Sequence, residues 1–359
     1  MKKFNNSKKI LITGGAGFIG GTLLRRLLEE TECSIFILDK LGYASDENLI
    51  KNILNSNNER VSFFEVDLVN KTNTKNAIER SDPDFIFHLA AETHVDRSIN
   101  DPTEFIYNNI IGTYNLLEAA KNHWLGLNKA RKSTFRFHHI STDEVFGSLE
   151  LDNQKFNENT SYDPRSPYSA SKASSDHLVR AWFHTYGLPI IVTNCSNNFG
   201  PRQFPEKLIP LAIDKALKKE RIPLYGDGSN VRDWLFVEDH VDGIISAALN
   251  GIPGKTYCIG GDCEKTNLEL VNIICNQLDD LIPQNKPHSS LINFVKDRPG
   301  HDYRYSINSN LIQKDLGWSP KTNIEVGINK TINWYIKNID WCKKMLFNSG
   351  YEGQRLGLK

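Results

Sequence analysis

The stretch KILITGGAGFIGGTLLRRLLEE, Lys9 to Glu30, joins a β-rich apolar run to an amphipathic helical pattern through Gly14, Gly17 and Gly20. Glycines at these places let the backbone turn sharply and come close to a pyrophosphate, which a side chain at Gly17 would obstruct. The helix that follows offers unpaired N–H groups and a partial positive charge to that anion. The next apolar run, SIFILD, ends in Asp39, nineteen residues after Gly20, where an acid that binds a ribose belongs. Loop, helix and acid together predict dinucleotide binding. A carboxylate at Asp39 repels a 2′-phosphate, so NAD is expected over NADP, with Lys40 beside it as an opposing charge.

Outward from this stretch the same alternation continues. The runs VSFFEVDL, DFIFHLAA, FRFHHIST and LPIIVTNCS are strand-like, and the patterns opening at Pro102 and Pro167 repeat apolar residues at three- and four-residue steps. This predicts an α/β fold, a doubly wound Rossmann parallel sheet flanked by helices. Past about Asn197 the chain turns to Pro- and Gly-punctuated segments such as NNFGPRQFPEKLIP and KDRPGHDYRYS, read as a smaller C-terminal α/β substrate lobe. The expected division is residues 1–196 for the NAD-binding domain with 232–256 returning to it, 197–231 and 257–345 for the lobe, and a tail over 346–359. NILNSNNER is expected as an exposed polar connection.

Composition narrows the function classes. Of 359 residues 39% are hydrophobic and 24% charged, enough for a sizeable core. Lys plus Arg and Asp plus Glu each number 43, so no net field draws the chain to nucleic acid or an anionic membrane. The six cysteines are scattered with no metal-ligand spacing, so buried free thiols are expected and no metal. The basic start MKKFNNSKK leads into an apolar run that breaks at Gly14, too short for a signal peptide, and no later run approaches a membrane span. The expectation is a cytoplasmic protein.

Two motifs carry chemistry. In PYSASK, Tyr168 and Lys172 stand four apart and share a helix face, where an ammonium favours a phenolate able to act as a base. In HISTDEVFGSL, Asp143 and Glu144 are adjacent just past a strand-like run, at the edge where open α/β sheets bind ligands. Ser141 and Glu144 also fit a helix capping box, but the VFGSLEL that follows leaves little helix to cap. Thr142, Asp143 and Glu144 are therefore expected to face one crevice with Tyr168, and adjacent acids in a buried crevice divide into a protonated and an ionised partner.

The motifs TGGAGFIG, LDKLGYA, HLAAETHVDRSI, STDEVFG, PYSASKASSDHLVRA, NCSNNFGPRQFPEKLIPL, YGDGSNVRDWLFVEDH and DRPGHDYRYSI, in order from Lys8 to beyond Trp318, resemble the dTDP-glucose 4,6-dehydratases, NAD-dependent extended short-chain dehydrogenases/reductases. The Asp-Glu pair is the most discriminating element, since the glycine loop and Tyr/Lys pair mark only the superfamily. The resemblance implies that Tyr168, helped by Lys172 and Thr142, deprotonates the sugar 4-hydroxyl while NAD accepts the C4 hydride. Glu144 then takes the C5 proton, Asp143 protonates the leaving 6-hydroxyl, and the hydride returns to C6.

It further implies cofactor contacts at Gly14, Gly17, Phe18, Ile19, Gly20, Asp39, Lys40, Leu41, Gly42, Asp67, Leu68, Leu89, Ala90, Ala91, Asn108, Tyr168, Lys172 and Asn198. The nucleotide sugar would meet Thr93, Thr142, Asn197, Lys207, Leu208, Pro223, Leu224, Tyr225, Arg232, Asn267, Arg298 and His301, with the two arginines suited to its diphosphate. Departures are Gly42 and Asn108 where the family commonly has Thr, Thr93 for Ser, and Phe146 for Tyr. The family usually forms homodimers through two helices per subunit, here those at Pro102 and Pro167. Other readings use the same motifs: a dehydratase of UDP- or GDP-sugars, a 4-epimerase, or a catalytically silent NAD-binding scaffold. The acid pair argues against the epimerase, which needs no group to expel water.

Overall fold

Each β-rich run forms a strand and the strands pair in parallel. The computed structural model describes residues 4–56, 59–150 and 154–351. Strands β1 (Lys9–Thr13), β2 (Ser34–Asp39), β3 (Val61–Glu65), β4 (Phe85–His88), β5 (Arg136–Thr142) and β6 (Ile190–Cys195) all lie in the large sheet. Beyond them come β7 (Asn197–Phe199), β8 (Ile222–Tyr225), β9 (Val231–Phe236), β10 (Thr256–Ile259), β11 (Glu264–Thr266) and β12 (Ile292–Val295). The large sheet has seven strands in the order β10-β6-β5-β4-β1-β2-β3. The order reverses between β1 and β4, which leaves a crevice at their carboxyl ends, where such sheets bind ligands.

Both faces of the sheet are covered, which is why its central strands read as unbroken apolar runs rather than alternating ones. One face packs Leu23, Leu24 and Leu27 of the Phe18–Glu30 helix and Val241 and Ile244 of the Val237–Asn250 helix. The other packs Leu116, Leu117 and Ala120 of the Gly112–Gly126 helix and Val179 of the Pro167–Tyr186 helix. A separate core around Phe199, Ile213, Trp234, Ile274 and Ile332 lies in the later part of the chain. It is built on the sheet β11-β9-β7 and the two-stranded β12-β8.

The boundaries differ from expectation in three places. The return to the large sheet runs over the Val237 helix and β10, to Ile259, whereas Val231–Phe236 belongs to the small sheet. Asn52 to Asn55 of the expected polar connection is the end of a helix over Glu47–Asn55, because Ile50 is buried against the Phe18 helix side and Asp46 caps its start. The expected tail is helical to Ser349, and from 352 onward it lies outside the described residues.

Two helix starts place the site. The Pro167 helix begins with a capping box of Ser166 and Ser169 with Pro167 at its first position, and ends at Gly187 with φ 75°. The Pro102 segment begins at Thr103 and contains a six-residue π-helix, Ile106–Ile111. The wider turn lets the Asn109 carbonyl accept from Thr113 at 2.6 Å and from Ser175 of the Pro167 helix at 2.6 Å.

Candidate active site

β1 feeds the glycine loop directly into the helix. Gly14 has φ 72°, and a Cβ there would lie 2.7 Å from the Ala90 nitrogen. A Cβ on Gly20 would sit 2.1 Å from the Gly14 carbonyl oxygen, so the loop closes on its own helix only without side chains. Gly17 is the N-cap with no side-chain hydrogen bond and no acid follows in the first turn, so the helix N–H groups remain for an anion. Gly20→Ala should cost about 1–3 kcal/mol by overpacking. A thermal melt would show the loss, together with weakened dinucleotide binding.

Asp39 is buried at the end of β2 and accepts from Ala16 N at 3.0 Å, Leu41 N at 2.9 Å and Ser45 Oγ at 3.0 Å. Burial raises its pKa, and these donors oppose the rise. Lys40 turns away, its Nζ 2.8 Å from Glu92 Oε1 and donating to Asn108 Oδ1 at 3.0 Å. The charge that opposed the NAD preference in sequence is therefore neutralised at the Asn108 that stands in place of Thr. With Gly14, Gly17 and Gly20 open toward the cavity and Asp39 beside them, the residues present fit a dinucleotide.

One continuous cavity runs from this loop to the Pro167 helix. It is lined by Gly14, Gly17, Phe18, Ile19, Gly20, Asp39, Lys40, Gly42, Asp67, Leu68, Leu89, Ala90, Ala91, Asn108, Tyr168, Lys172 and Asn198 of the expected cofactor set. Leu41 is not among the lining: at φ 53° its side chain packs on the core beneath. The cavity also takes in Thr93, Thr142, Glu144, Asn197 and Lys207.

The other expected sugar contacts lie outside that lining, and three of them, Tyr225, Arg298 and His301, gather near Asp96. Tyr225 donates to Asp96 Oδ2 at 2.8 Å, Arg298 to Asp96 Oδ1 at 2.7 Å, and the His301 ring stands edge-on to Tyr225. Arg232 is buried over the Tyr305 ring and gives its protons to the carbonyls of Val231, Tyr303 and Asp302. Leu224 is buried in the small-lobe core, Pro223 precedes it on β8, and Leu208 and Asn267 open helices.

The acid pair closes β5. Thr142 caps a short 3-10 turn, Asp143–Phe146, by accepting from Glu144 N at 3.3 Å, while Ser141 points the other way and donates to Asp176. The capping-box alternative thus fails, because Ser141 is committed to Asp176 of the Pro167 helix and Thr142 is the cap. Asp143 is buried with no partner on Oδ2. Burial first, then the charges of Glu144 and Asp233, push its pKa far above the usual carboxylate value. Glu144 is also raised by burial, but the charges of Arg298, Lys207 and Arg232 pull it back toward ionisation. Phe146 in place of Tyr stacks on Phe156 at 5.2 Å and needs no polar partner there.

Tyr168 and Lys172 are both buried on one helix face, as their spacing predicts. The Tyr168 phenol is shifted the opposite way from the expectation of a favoured phenolate. Burial and then the Glu144 charge push the Tyr168 pKa up, a Thr142 hydrogen bond opposes this, and Lys172 donates to the Ile140 carbonyl at 2.9 Å.

Sequence reading missed several members of the site. Glu206 accepts from Tyr43 at 2.8 Å and from Arg97 at 3.1 Å at the cavity wall, and Asn109 donates to Ser171 at 2.8 Å. Cys195 lines the cavity beneath Asn198, its thiol pushed up by burial. None of these has a local motif, since each acts through a partner distant in sequence.

Residues 11–331 match the family model described as GDP-mannose 4,6 dehydratase. A dTDP-glucose 4,6-dehydratase of Escherichia coli is 51% identical, covering 98% of this chain and 99% of its own. A double mutant of the dTDP-glucose 4,6-dehydratase of Streptomyces venezuelae, solved with NAD bound, superposes with a TM-score of 0.85 at 38% identity, over 94% of this chain and 99% of that one. The NAD complex of the Bacillus anthracis enzyme gives 0.82 at 39% identity, over 94% and 100%. With that fold, that acid pair just past β5 and half its residues shared along nearly its whole length, the chain belongs to the dTDP-glucose 4,6-dehydratase family.

Proposed function

We propose that the protein converts dTDP-glucose to the 4-keto-6-deoxy sugar nucleotide and water, with NAD as a catalytic cofactor that is regenerated each cycle. The observation that carries this reading is the adjacent Asp143–Glu144 pair just past β5: one buried carboxyl pushed toward its protonated form beside one whose rise three cations oppose. A proton donor and a proton acceptor on adjacent residues are what elimination of water across C5 and C6 requires.

NAD, when bound along the cavity, supplies the acceptor for the C4 hydride and returns that hydride to C6. Tyr168 takes the 4-hydroxyl proton, with Thr142 hydrogen-bonded to the phenol and Lys172 one helical turn away. The resulting 4-ketone acidifies the C5 proton, which Glu144 removes. Asp143 passes its proton to the 6-hydroxyl, and water leaves. Arg298 and Lys207, whose charges act on Glu144, suit the diphosphate side of the substrate.

Asp39 with Lys40 neutralised supports NAD over NADP. Asp39→Ser removes a charged acceptor for the ribose hydroxyls, worth about 1.5–3 kcal/mol. NAD affinity should fall about 10- to 100-fold in a fluorescence titration. The deciding assay for function is turnover of dTDP-glucose, read by the alkali-induced absorbance of a 4-keto-6-deoxy sugar, with UDP- and GDP-hexoses in parallel. Epimerised hexose as the product, or preference for another base, would overturn the assignment.

No helix among the described residues is long and apolar enough to cross a membrane. We place the protein in the cytoplasm, where free thiols such as these six persist. We further propose a homodimer through the Pro102 and Pro167 helices, on which Ile106, Tyr107, Ile111 and Tyr186 are exposed. Light scattering should give twice the chain mass, and Ile106→Asp with Ile111→Asp should halve it; a monomeric parent would refute the dimer.

A further inference from the structure

Four chemically distinct side chains, Tyr168, Lys172, Asp176 and Arg180, follow one another at four-residue steps along the Pro167 helix and so share one face. The first two belong to the reaction proposed above, and the third has no role in it. Asp176 is fully buried, and four side chains donate to its carboxylate. Oδ1 accepts from His139 Nε2 at 3.0 Å. Oδ2 accepts from Tyr162 OH at 2.7 Å, Ser141 Oγ at 2.9 Å and Asn194 Nδ2 at 3.2 Å.

These donors are not scattered. His139 and Ser141 lie on β5 directly before Thr142, Asp143 and Glu144, and Asn194 lies on β6. The Asn194 amide also donates to the Thr142 carbonyl at 3.0 Å. One carboxylate therefore ties the end of the strand that carries the acid pair to the helix that carries Tyr168 and Lys172. Tyr162 extends the tie outward, because Arg180 donates to its hydroxyl at 2.6 Å.

The charge of Asp176 matters as well as its hydrogen bonds. Burial pushes the Lys172 ammonium toward its neutral form, and Asp176 is the first group opposing that shift, with Cys195 the second. Asp176 itself is shifted toward its ionised form: burial raises its pKa, but the His139 hydrogen bond and the charges of Lys172 and Arg180 outweigh burial and lower it. The remaining ionisable groups facing this pair are Tyr168 on the helix, Tyr162 before it, and His139 with His88 behind it on the sheet. Both histidines are depressed by burial and neutral, and His139 Nδ1 has no partner, so its Nε2 carries the proton given to Asp176.

We propose that Asp176 is a positioning residue of the dehydratase reaction: it fixes the strand end that leads into Thr142, Asp143 and Glu144 against the helix that carries Tyr168 and Lys172. The inference rests on the reading of the reaction given above. Asp176 acts through these residues and touches no substrate.

The test compares the parent protein, Asp176→Asn and Tyr162→Phe, each checked by thermal melt, for turnover of dTDP-glucose across the neutral to alkaline range. Asp176→Asn replaces acceptor lone pairs by a donating amide and removes the charge. Its kcat should fall about 10- to 100-fold with KM within about twofold of the parent. The alkaline limb of kcat should move down by about one pH unit, as expected when an ammonium loses a nearby opposite charge. Tyr162→Phe keeps the charge and removes one donor, so kcat should fall severalfold with the alkaline limb unmoved.

An Asp176→Asn protein that melts lower but keeps the parent's kcat and pH profile would show a purely structural residue and overturn the proposal. If that variant does not fold, Tyr162→Phe and Ser141→Ala carry the test, and unchanged kcat in both would overturn it. A parent that does not turn over dTDP-glucose would instead sink the reading of the reaction, so the two failures are distinguishable.

Discussion

Replacing Asp143 by Asn and Glu144 by Gln together is expected to lower formation of the 4-keto-6-deoxy product by about 10²–10⁴-fold, the usual worth of positioned acid–base groups. That corresponds to about 3–5 kcal/mol of transition-state stabilisation. Both replacements keep the side-chain volume, so the fold should survive. Oxidation at C4 does not use either carboxyl, so substrate should still reduce the bound nicotinamide, visible as its near-ultraviolet absorbance without release of product. Loss of that absorbance along with the product would place the pair in substrate binding rather than in elimination.

The same pair sets a pH dependence. Glu144 must be ionised, and since burial raises its pKa the rate should fall as pH drops through that raised value. In the proposed role Asp143 donates a proton, and burial with the charges of Glu144 and Asp233 shifts it in the direction that favours the protonated form. For stability the sign follows from linkage: a carboxyl whose folded pKa lies above its unfolded value costs the folded state progressively more as pH rises between the two. Asp143→Asn should therefore melt higher than the parent near neutral pH, with the difference shrinking toward the pH at which an unfolded Asp protonates. A gain that does not vary with pH would contradict the buried, protonated carboxyl.

Tyr168→Phe is expected to be as damaging but at an earlier step. It removes the hydroxyl that Thr142 contacts and leaves the ring in its buried place. The 4-hydroxyl then keeps its proton, and hydride transfer from C4 should slow by about 10²–10⁴-fold. Neither product nor reduced nicotinamide should accumulate, whereas the acid-pair variant retains the second signal. Affinity for dTDP-glucose, measured by calorimetry, should change little. A Tyr168→Phe protein that still reduces nicotinamide at the parent's rate would remove Tyr168 from the role of base.

Local patterns reached far into this molecule. The large parallel sheet, the glycine turn with Asp39 at the end of the next strand, and the Tyr168–Lys172 face were legible because each is a short-range consequence of backbone geometry: strand runs, a positive φ at Gly14, and helical spacing. The acid pair was legible because its two members are adjacent and follow a strand. The small lobe was less so. The return expected over 232–256 began too early, because nothing local in VRDWLF marks its sheet and only its partners β7 and β11 decide where it pairs.

The sequence by itself determined the large parallel sheet and the dinucleotide loop, because these follow from neighbours along the chain. The tertiary structure alone decided the state of the side chains in the site. Lys40 is spent on Glu92, Ser141 on Asp176, and Asp143 and Tyr168 are driven toward their protonated forms by burial and by Glu144. Desolvation and charge depend on which segments the fold brings within a few ångströms, and those segments lie tens to hundreds of residues apart in the chain.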